Sequence, residues 1–260
     1  MKNINTIWIS TTPRTGSTWI FNVTREIYRI LGFTVEPSIV PQKDTGMFKI
    51  YHDEAINQNN ENIKYVLKTH SILKPDLIRS KIITSIRDPR DLCLSYKKFM
   101  KTDFNRSFKV TKSLMDFTNT YQYFKNNYLI LIKYENIEKE STEIILNISK
   151  FLNVSITHSQ AVEISKKYSR DNVIKIIENK NNEINYKILK KTKLDEKEIV
   201  FVSKKLSINE EMRAFDTSTG FQTGHISQSR STSWSTEFST NEKKILNDTF
   251  KDWLLKFKYQ

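Results

Sequence analysis

Residues Ile9 to Ile27, ISTTPRTGSTWIFNVTREI, constrain the fold more than any other stretch of the chain. The apolar run TIWIS, Thr6 to Ser10, reads as a strand that breaks before Pro13. Arg14, Thr15, Gly16, Ser17 and Thr18 follow. A helical pattern then runs from Trp19 to Leu31 and stops at Gly32. A strand, a polar turn and a helix in succession aim the first helical amides at one point, which suits an oxyanion. Gly16 lets the backbone come close to such a group, Ser17 and Thr18 add hydroxyls, and Arg14 adds a planar cation. The loop lacks the G-x-x-x-x-G-K-[ST] pattern of triphosphate-binding loops, so its anion is of another kind.

The first 155 residues alternate between strand-like and helix-like pieces. Tyr65 to Leu67 reads as a short strand and Lys81 to Ile86, KIITSI, as a stronger one. Asp88-Pro89 then looks like an N-cap followed by proline at the first helical position, opening a helix to about Lys101. Phe117 to Asn126 reads as helix. Tyr128 to Lys133, YLILIK, resembles a strand buried on both faces. Ser141 to Leu152 is an amphipathic helix with Ile144, Ile145, Ile148, Phe151 and Leu152 on its apolar side. This alternation predicts the α/β class, a parallel sheet flanked by helices. His158 to Phe215 is polar, lysine-rich and mostly helical in pattern. Asp216 to Ser235 is a polar stretch, of the kind that forms functional or moving loops. Glu242 to Phe257 closes the chain as a helix with one apolar stripe. We expect one domain over residues 1–260. Its donor-binding α/β core would occupy 1–155 and a helical region 156–260, with a covering loop at about 216–235.

Ligands of open parallel sheets bind beyond the carboxyl ends of the strands. After the first strand comes the Arg14 loop, after the second Lys68-Thr69-His70, after the third Arg87 with Ser95 two helical turns on, and after the fourth Tyr134-Glu135. One rim then carries cations, a histidine, hydroxyls and two aromatics, Trp19 and Tyr134. That set suits an aromatic base bearing more than one anionic group. Arg87 with Ser95 can hold a second anion, Trp19 and Tyr134 can sandwich a base, and His70 beside Lys68 can take a proton from an acceptor hydroxyl. The bland readings are a core role for Trp19, a structural role for His70 and a helix-capping role for Asp88. His52, His158 and His225 lack such a setting, although His225 sits in the polar loop where a ligand can meet it.

The net charge of +13, from 42 basic and 29 acidic residues, points to an anionic partner, against the alternative of a solvated lysine-rich surface. A single cysteine, Cys93, rules out an intrachain disulfide framework and fits a reducing compartment. It lies in an apolar stretch and reads as core. MKNINTIWIS is too short an apolar run for a signal peptide, and no stretch reaches membrane-helix length. We therefore expect a cytoplasmic enzyme without stable membrane insertion. No cluster of His, Cys or carboxylates stands at metal-ligand spacing, so no metal is expected.

Together PRTGSTW, KTH and IRDPRDLCLSY, followed by YENIEKESTEIILNISKFL and SWSTEF, resemble the sulfotransferases that use 3'-phosphoadenosine 5'-phosphosulfate, PAPS. The resemblance covers most of the chain, in order. It implies a P-loop-like fold and in-line transfer of a sulfuryl group from PAPS, with 3'-phosphoadenosine 5'-phosphate, PAP, as product. Positioning and charge stabilisation dominate such transfers. It further implies that Arg14, Thr15, Gly16, Ser17 and Thr18 hold the 5'-phosphosulfate and that Trp19 and Tyr134 lie near the adenine. Arg87 and Ser95 would bind the 3'-phosphate. His70 would be the base, with Lys68 and Arg14 on the oxygens of the transferred group. Many cytosolic members carry lysine where Arg14 stands; arginine keeps the charge but holds its proton, which implies binding rather than acid catalysis. Near the end, GHISQSRSTSW keeps Trp234 but lacks the family's glycines, and Arg230 is its one cation, implied at the 3'-phosphate. The resemblance implies as acceptor a small molecule or glycan bearing a hydroxyl or amine. Two other classes fit the residues less well. A P-loop kinase or triphosphatase lacks its lysine here. A basic nucleic-acid-binding protein would interleave aromatics with its cations, and no nucleic-acid partner is expected.

Overall fold

The computed structural model describes residues 5–71, 73, 80–120, 128–202, 211–226 and 233–259. Strand β1 (Thr6–Ser10) is buried at every residue, which a strand achieves only in the middle of a sheet covered on both faces. Helix α1 (Ser17–Ile30) follows, then β2 (Thr34–Glu36), α2 (Asp44–Asp53) and β3 (Ile63–Thr69). Strand β4 (Lys81–Ile86), again buried throughout, leads into α3 (Pro89–Phe99) and α4 (Phe104–Thr120). Strand β5 (Leu129–Lys133) completes the sheet. Its order is β2-β3-β1-β4-β5 and every pairing is parallel, the expected α/β arrangement. The chain leaves β1 towards β2 and β3, then crosses to place β4 on the other side. Strand β1 therefore marks a switch point, and a crevice opens beyond the carboxyl ends of β3, β1 and β4.

Helices α5 (Tyr134–Lys139), α6 (Ser141–Phe151), α7 (His158–Lys167) and α8 (Arg170–Leu189) come next. The main core joins α1, α6 and α7 to the sheet through Trp8, Phe21, Ile145, Ile148 and Ile164. A second core packs α3 and α4 against α10 (Thr240–Lys256), where Leu246, Phe250, Trp253 and Leu254 form the predicted stripe. Short α9 (Trp234–Glu237) precedes α10. Cys93 is buried in this second core, as its apolar neighbours predict. Among the described residues no helix is long and apolar enough to cross a membrane.

Three expectations are corrected. The YLILIK strand is not buried on both faces: β5 is an edge strand paired only to β4, and Leu131 is 38% exposed. Helix α1 starts at Ser17, before the apolar pattern begins, because Gly16 at φ 85° turns the chain into the helix. The region before Phe215 is not all helix: β6 (Ile199–Val202) and β7 (Glu211–Ala214) form an antiparallel pair. The helix expected over Phe117–Asn126 is present to Thr120, and residues 121–127 lie outside the described residues.

Candidate active site

The loop between β1 and α1 is held from below by side chains. Thr15 Oγ1 donates to Thr12 O at 2.7 Å, and Ser85 Oγ on β4 contacts both Thr15 O and Thr15 Oγ1 at 2.8 Å. Thr15 is fully buried, so its hydroxyl braces the loop rather than facing a ligand. Arg14 follows with φ 67°, a left-handed conformation uncommon outside glycine. Helix α1 has no side-chain cap, so the amides of its first turn are left for a ligand. A Cβ on Gly16 would sit 2.5 Å from Ile137 Cδ1 and 3.2 Å from Tyr134 Cδ2. Glycine is required there by conformation and by space.

Cations gather above this loop. Arg14 Nε donates to Ser95 Oγ at 3.1 Å, and Arg87 Nη1 donates to Arg14 O at 3.1 Å. The Arg87 guanidinium lies 4.1 Å from the centre of the Tyr134 ring. Arg14 and Arg213 each lie 4.2 Å from the centre of the Phe99 ring. Burial, then the charges of Arg87 and Arg213, lower the Arg14 pKa to about 10. No carboxylate is among the charges that act on it. Arg87 Nε is buried without a hydrogen-bond partner, and so are the hydroxyls of Thr11 and Thr12. Buried donors without partners cost about 1–3 kcal/mol each, and these three lie at the carboxyl ends of β1 and β4.

The end of β3 carries the histidine. His70 Nδ1 lies 2.9 Å from Thr11 O. A carbonyl only accepts, so Nδ1 carries the proton and Nε2 keeps its lone pair. Asp44 at the start of α2 fixes this strand end, its Oδ2 accepting from Thr69 Oγ1 and from His70 N, both at 2.7 Å. Burial, then Lys68, lowers the His70 pKa to about 4, while Thr11 O and Asp44 oppose the shift. Burial also lowers the Lys68 pKa against the pull of Asp44.

The structure thus brings Arg14, Gly16, Ser17, Thr18, Lys68, His70, Arg87, Ser95 and Tyr134 to one rim. Ser95 is bonded to Arg14 rather than to Arg87, so Arg14 spans the two anion positions inferred from sequence. Trp19 departs from the base-stacking expectation. Its ring is in the main core, 9% exposed, and its Nε1 donates to Tyr168 O at 3.1 Å. Arg230 lies outside the described residues. Asp88 caps α3 through Arg90 N and pairs with the Arg90 side chain at 2.7 Å, the capping role. Residues 216–226 of the polar loop are pinned. Arg25 donates to Ser218 O at 2.6 Å and Asn22 to Thr219 O at 2.8 Å. Sequence reasoning missed Asp44, Ser85, Phe99 and Arg213. Only Phe99 left a signal, one helical turn beyond Ser95 on the same face.

The family model described as "Sulfotransferase domain" matches residues 5–258. No curated protein matches the sequence. Among solved structures, mouse sulfotransferase SULT7A1 complexed with PAP is similar, with a TM-score of 0.62 at 15% identity over 96% of this chain and 84% of that one. Retinol dehydratase in complex with androsterone and inactive cofactor PAP gives a TM-score of 0.58 at 14% identity, over 96% of this chain and 80% of that one. Retinol dehydratase in a complex with retinol and PAP gives 0.57 at 13% identity, over 98% of this chain and 82% of that one.

Proposed function

The chain belongs to the sulfotransferase family, and on that premise we propose that it transfers a sulfuryl group from PAPS to the hydroxyl or amine of a small-molecule or glycan acceptor, releasing PAP. One observation carries the donor assignment. Arg14 and Arg87 crowd one rim, no carboxylate is among the charges that act on Arg14, and Arg87 keeps a buried N–H without a partner. Cations in that arrangement repel one another until an anion joins them. The uncapped start of α1 fits the phosphosulfate end, and Arg87, bonded to Arg14 and through it linked to Ser95, fits the 3'-phosphate. The cradle therefore suits a nucleotide with two separate anionic groups. The similar structures are complexes with PAP, which agrees with this donor.

PAPS supplies the activated sulfuryl group when bound. The chain's own residues do the rest. His70 takes the acceptor proton at Nε2, because Thr11 O holds its other nitrogen protonated. Asp44 fixes the strand end that aims the ring. Lys68 and Arg14 place positive charge where the oxygens of the transferred group gather charge. Tyr134, packed on Arg87, is the aromatic wall for the adenine. Arg230 is assigned to the 3'-phosphate by its place in the sequence alone. The single, buried Cys93 agrees with a reducing compartment, and we assign the enzyme to the cytoplasm.

Calorimetric titration with PAP tests the reading, with ATP plus Mg²⁺ and AMP as controls. Tight, metal-independent binding of PAP with weak binding of both controls is expected. Tight binding of ATP with Mg²⁺ in its place would make the Arg14 loop a divergent triphosphate loop and overturn the donor assignment.

A further inference from the structure

A second histidine stands at the rim. His225 follows Gly224, whose carbonyl accepts from Arg14 Nη2 at 3.4 Å. Its ring lies 6.1 Å, centre to centre, from Phe99, the ring on which Arg14 and Arg213 rest. The turn that carries it is built rather than loose. Thr223 N donates to Ala214 O at 3.0 Å, Thr223 Oγ1 meets Asn181 Oδ1 at 2.5 Å, and Phe215 bridges to Gln222. His70 lies at the carbonyl of Thr11 in the same loop, and the charge of Arg14 acts on both histidines.

The two rings are fixed in opposite senses. The backbone N–H of Gln222 donates to His225 Nδ1 at 3.3 Å. That nitrogen must therefore be bare, and the proton of the neutral ring sits on Nε2. In His70 the proton sits on Nδ1 and Nε2 is bare. The free nitrogen of one ring donates and that of the other accepts. Burial, then the positive charges of Arg14 and Lys68, keeps His225 neutral well below the ordinary histidine range, with His70 and Arg213 acting in the same direction. These are the charged and titratable groups that act on it.

We infer that His225 is a second histidine of the acceptor site, donating from Nε2 to the atom whose proton His70 Nε2 accepts, so that the pair selects a hydroxyl over an alkylammonium. This rests on the sulfotransfer reading above. A hydroxyl has both a proton for His70 and lone pairs for His225. An alkylammonium has no lone pair to offer His225. Asp44, the carboxylate nearest by charge to His70 and Lys68, already accepts from Thr69 and from the His70 amide.

The test uses the full chain loaded with PAP. Long-range ¹H–¹⁵N spectra at pH 7, assigned with His70→Gln and His225→Gln, read the tautomers directly. Two neutral rings are expected, protonated at Nδ1 in His70 and at Nε2 in His225. Benzyl alcohol is expected to move both Nε2 resonances, and benzylamine at the same concentration to move neither. His225→Ala should weaken benzyl alcohol about tenfold, the worth of one hydrogen bond, and His225→Gln, which keeps an N–H donor, should weaken it less. A charged His225, a proton on its Nδ1, an amine effect equal to the alcohol's, or no alcohol effect would each overturn the inference. Failure of the chain to take up PAP would instead count against the donor reading, and the free protein's spectra would still report the tautomers.

Discussion

The two ends of the rim are built on opposite principles. At the β4 end, Arg87 bonds to the Arg14 carbonyl, no carboxylate is among the charges acting on Arg14, and Arg87 Nε is a buried donor with no partner. At the β3 end, Asp44 takes two donors, and Thr11 O takes the proton of His70 Nδ1. On the proposed function, the donor's anions complete the first end. At the second, the hydrogen bonds that aim His70 are already made. A deficit of hydrogen bonds suits binding, because the ligand supplies what is missing. A saturated network suits proton transfer, because it fixes which nitrogen is free.

If this contrast holds, mutations at the two ends separate turnover from donor affinity. The largest effect is expected from His70→Ala, which should lower kcat by about 10²–10⁴ while PAP affinity in calorimetry changes only a few-fold. A comparable loss of PAP affinity would show that His70 holds the strand end together instead. Next comes Asp44→Asn, which keeps an acceptor oxygen but removes the charge. A roughly tenfold fall in kcat is expected, within the range of supporting residues around a site. Asp44 raises the His70 pKa, so the acid limb of the rate profile should also move to lower pH.

The pH dependence itself sharpens the contrast. His70 is depressed from 6.5 to about 4, and His225 is depressed as well. Their contribution to stability is complete above pH 6.5 and is lost as pH falls towards 4, because the unfolded chain binds those protons first. Donor anions raise the His70 pKa, so PAP binding near pH 5 should take up protons. Calorimetry in two buffers of different ionisation enthalpy measures that uptake, and none at all would separate His70 from the donor site. The smallest effect is expected from Ser85→Ala. It removes two buried contacts to Thr15 and should cost about 1–2 kcal/mol in denaturant unfolding, with little change in turnover once donor is saturating.

Much of the β4 end was legible in the sequence, because its residues follow strong apolar strands directly. TIWIS and KIITSI announce β1 and β4, and the residues after such strands fall on one rim by topology. Asp44 was not legible as a site residue, and His225 was legible only as a histidine in a polar loop that a ligand can meet. Each reaches the rim through contacts 26 or more residues away in sequence, which no local pattern records. Trp19 misled for the opposite reason. Its position beside the loop suggested a ligand, but helix periodicity turns it into the core against Tyr168. The β6–β7 pair was missed because IVFV and EMRA, four residues each, are too short to show alternation beside the long helical pattern of α8. The polar stretch after Asp216 read as a moving cover, yet Arg25 and Asn22, both buried on α1, fasten its first half.

The central claim is that the β4 end takes a 3'-phosphate separate from the 5' group. The most direct measurement is the affinity of wild-type protein and of Arg87→Ala for PAP and for adenosine 5'-phosphosulfate, which lacks the 3'-phosphate. The account predicts that Arg87→Ala weakens PAP by about 10²-fold, as for loss of a charge-assisted contact, and adenosine 5'-phosphosulfate by no more than a few-fold. Equal weakening of both would contradict it, and would mean that Arg87 only supports the Arg14 loop.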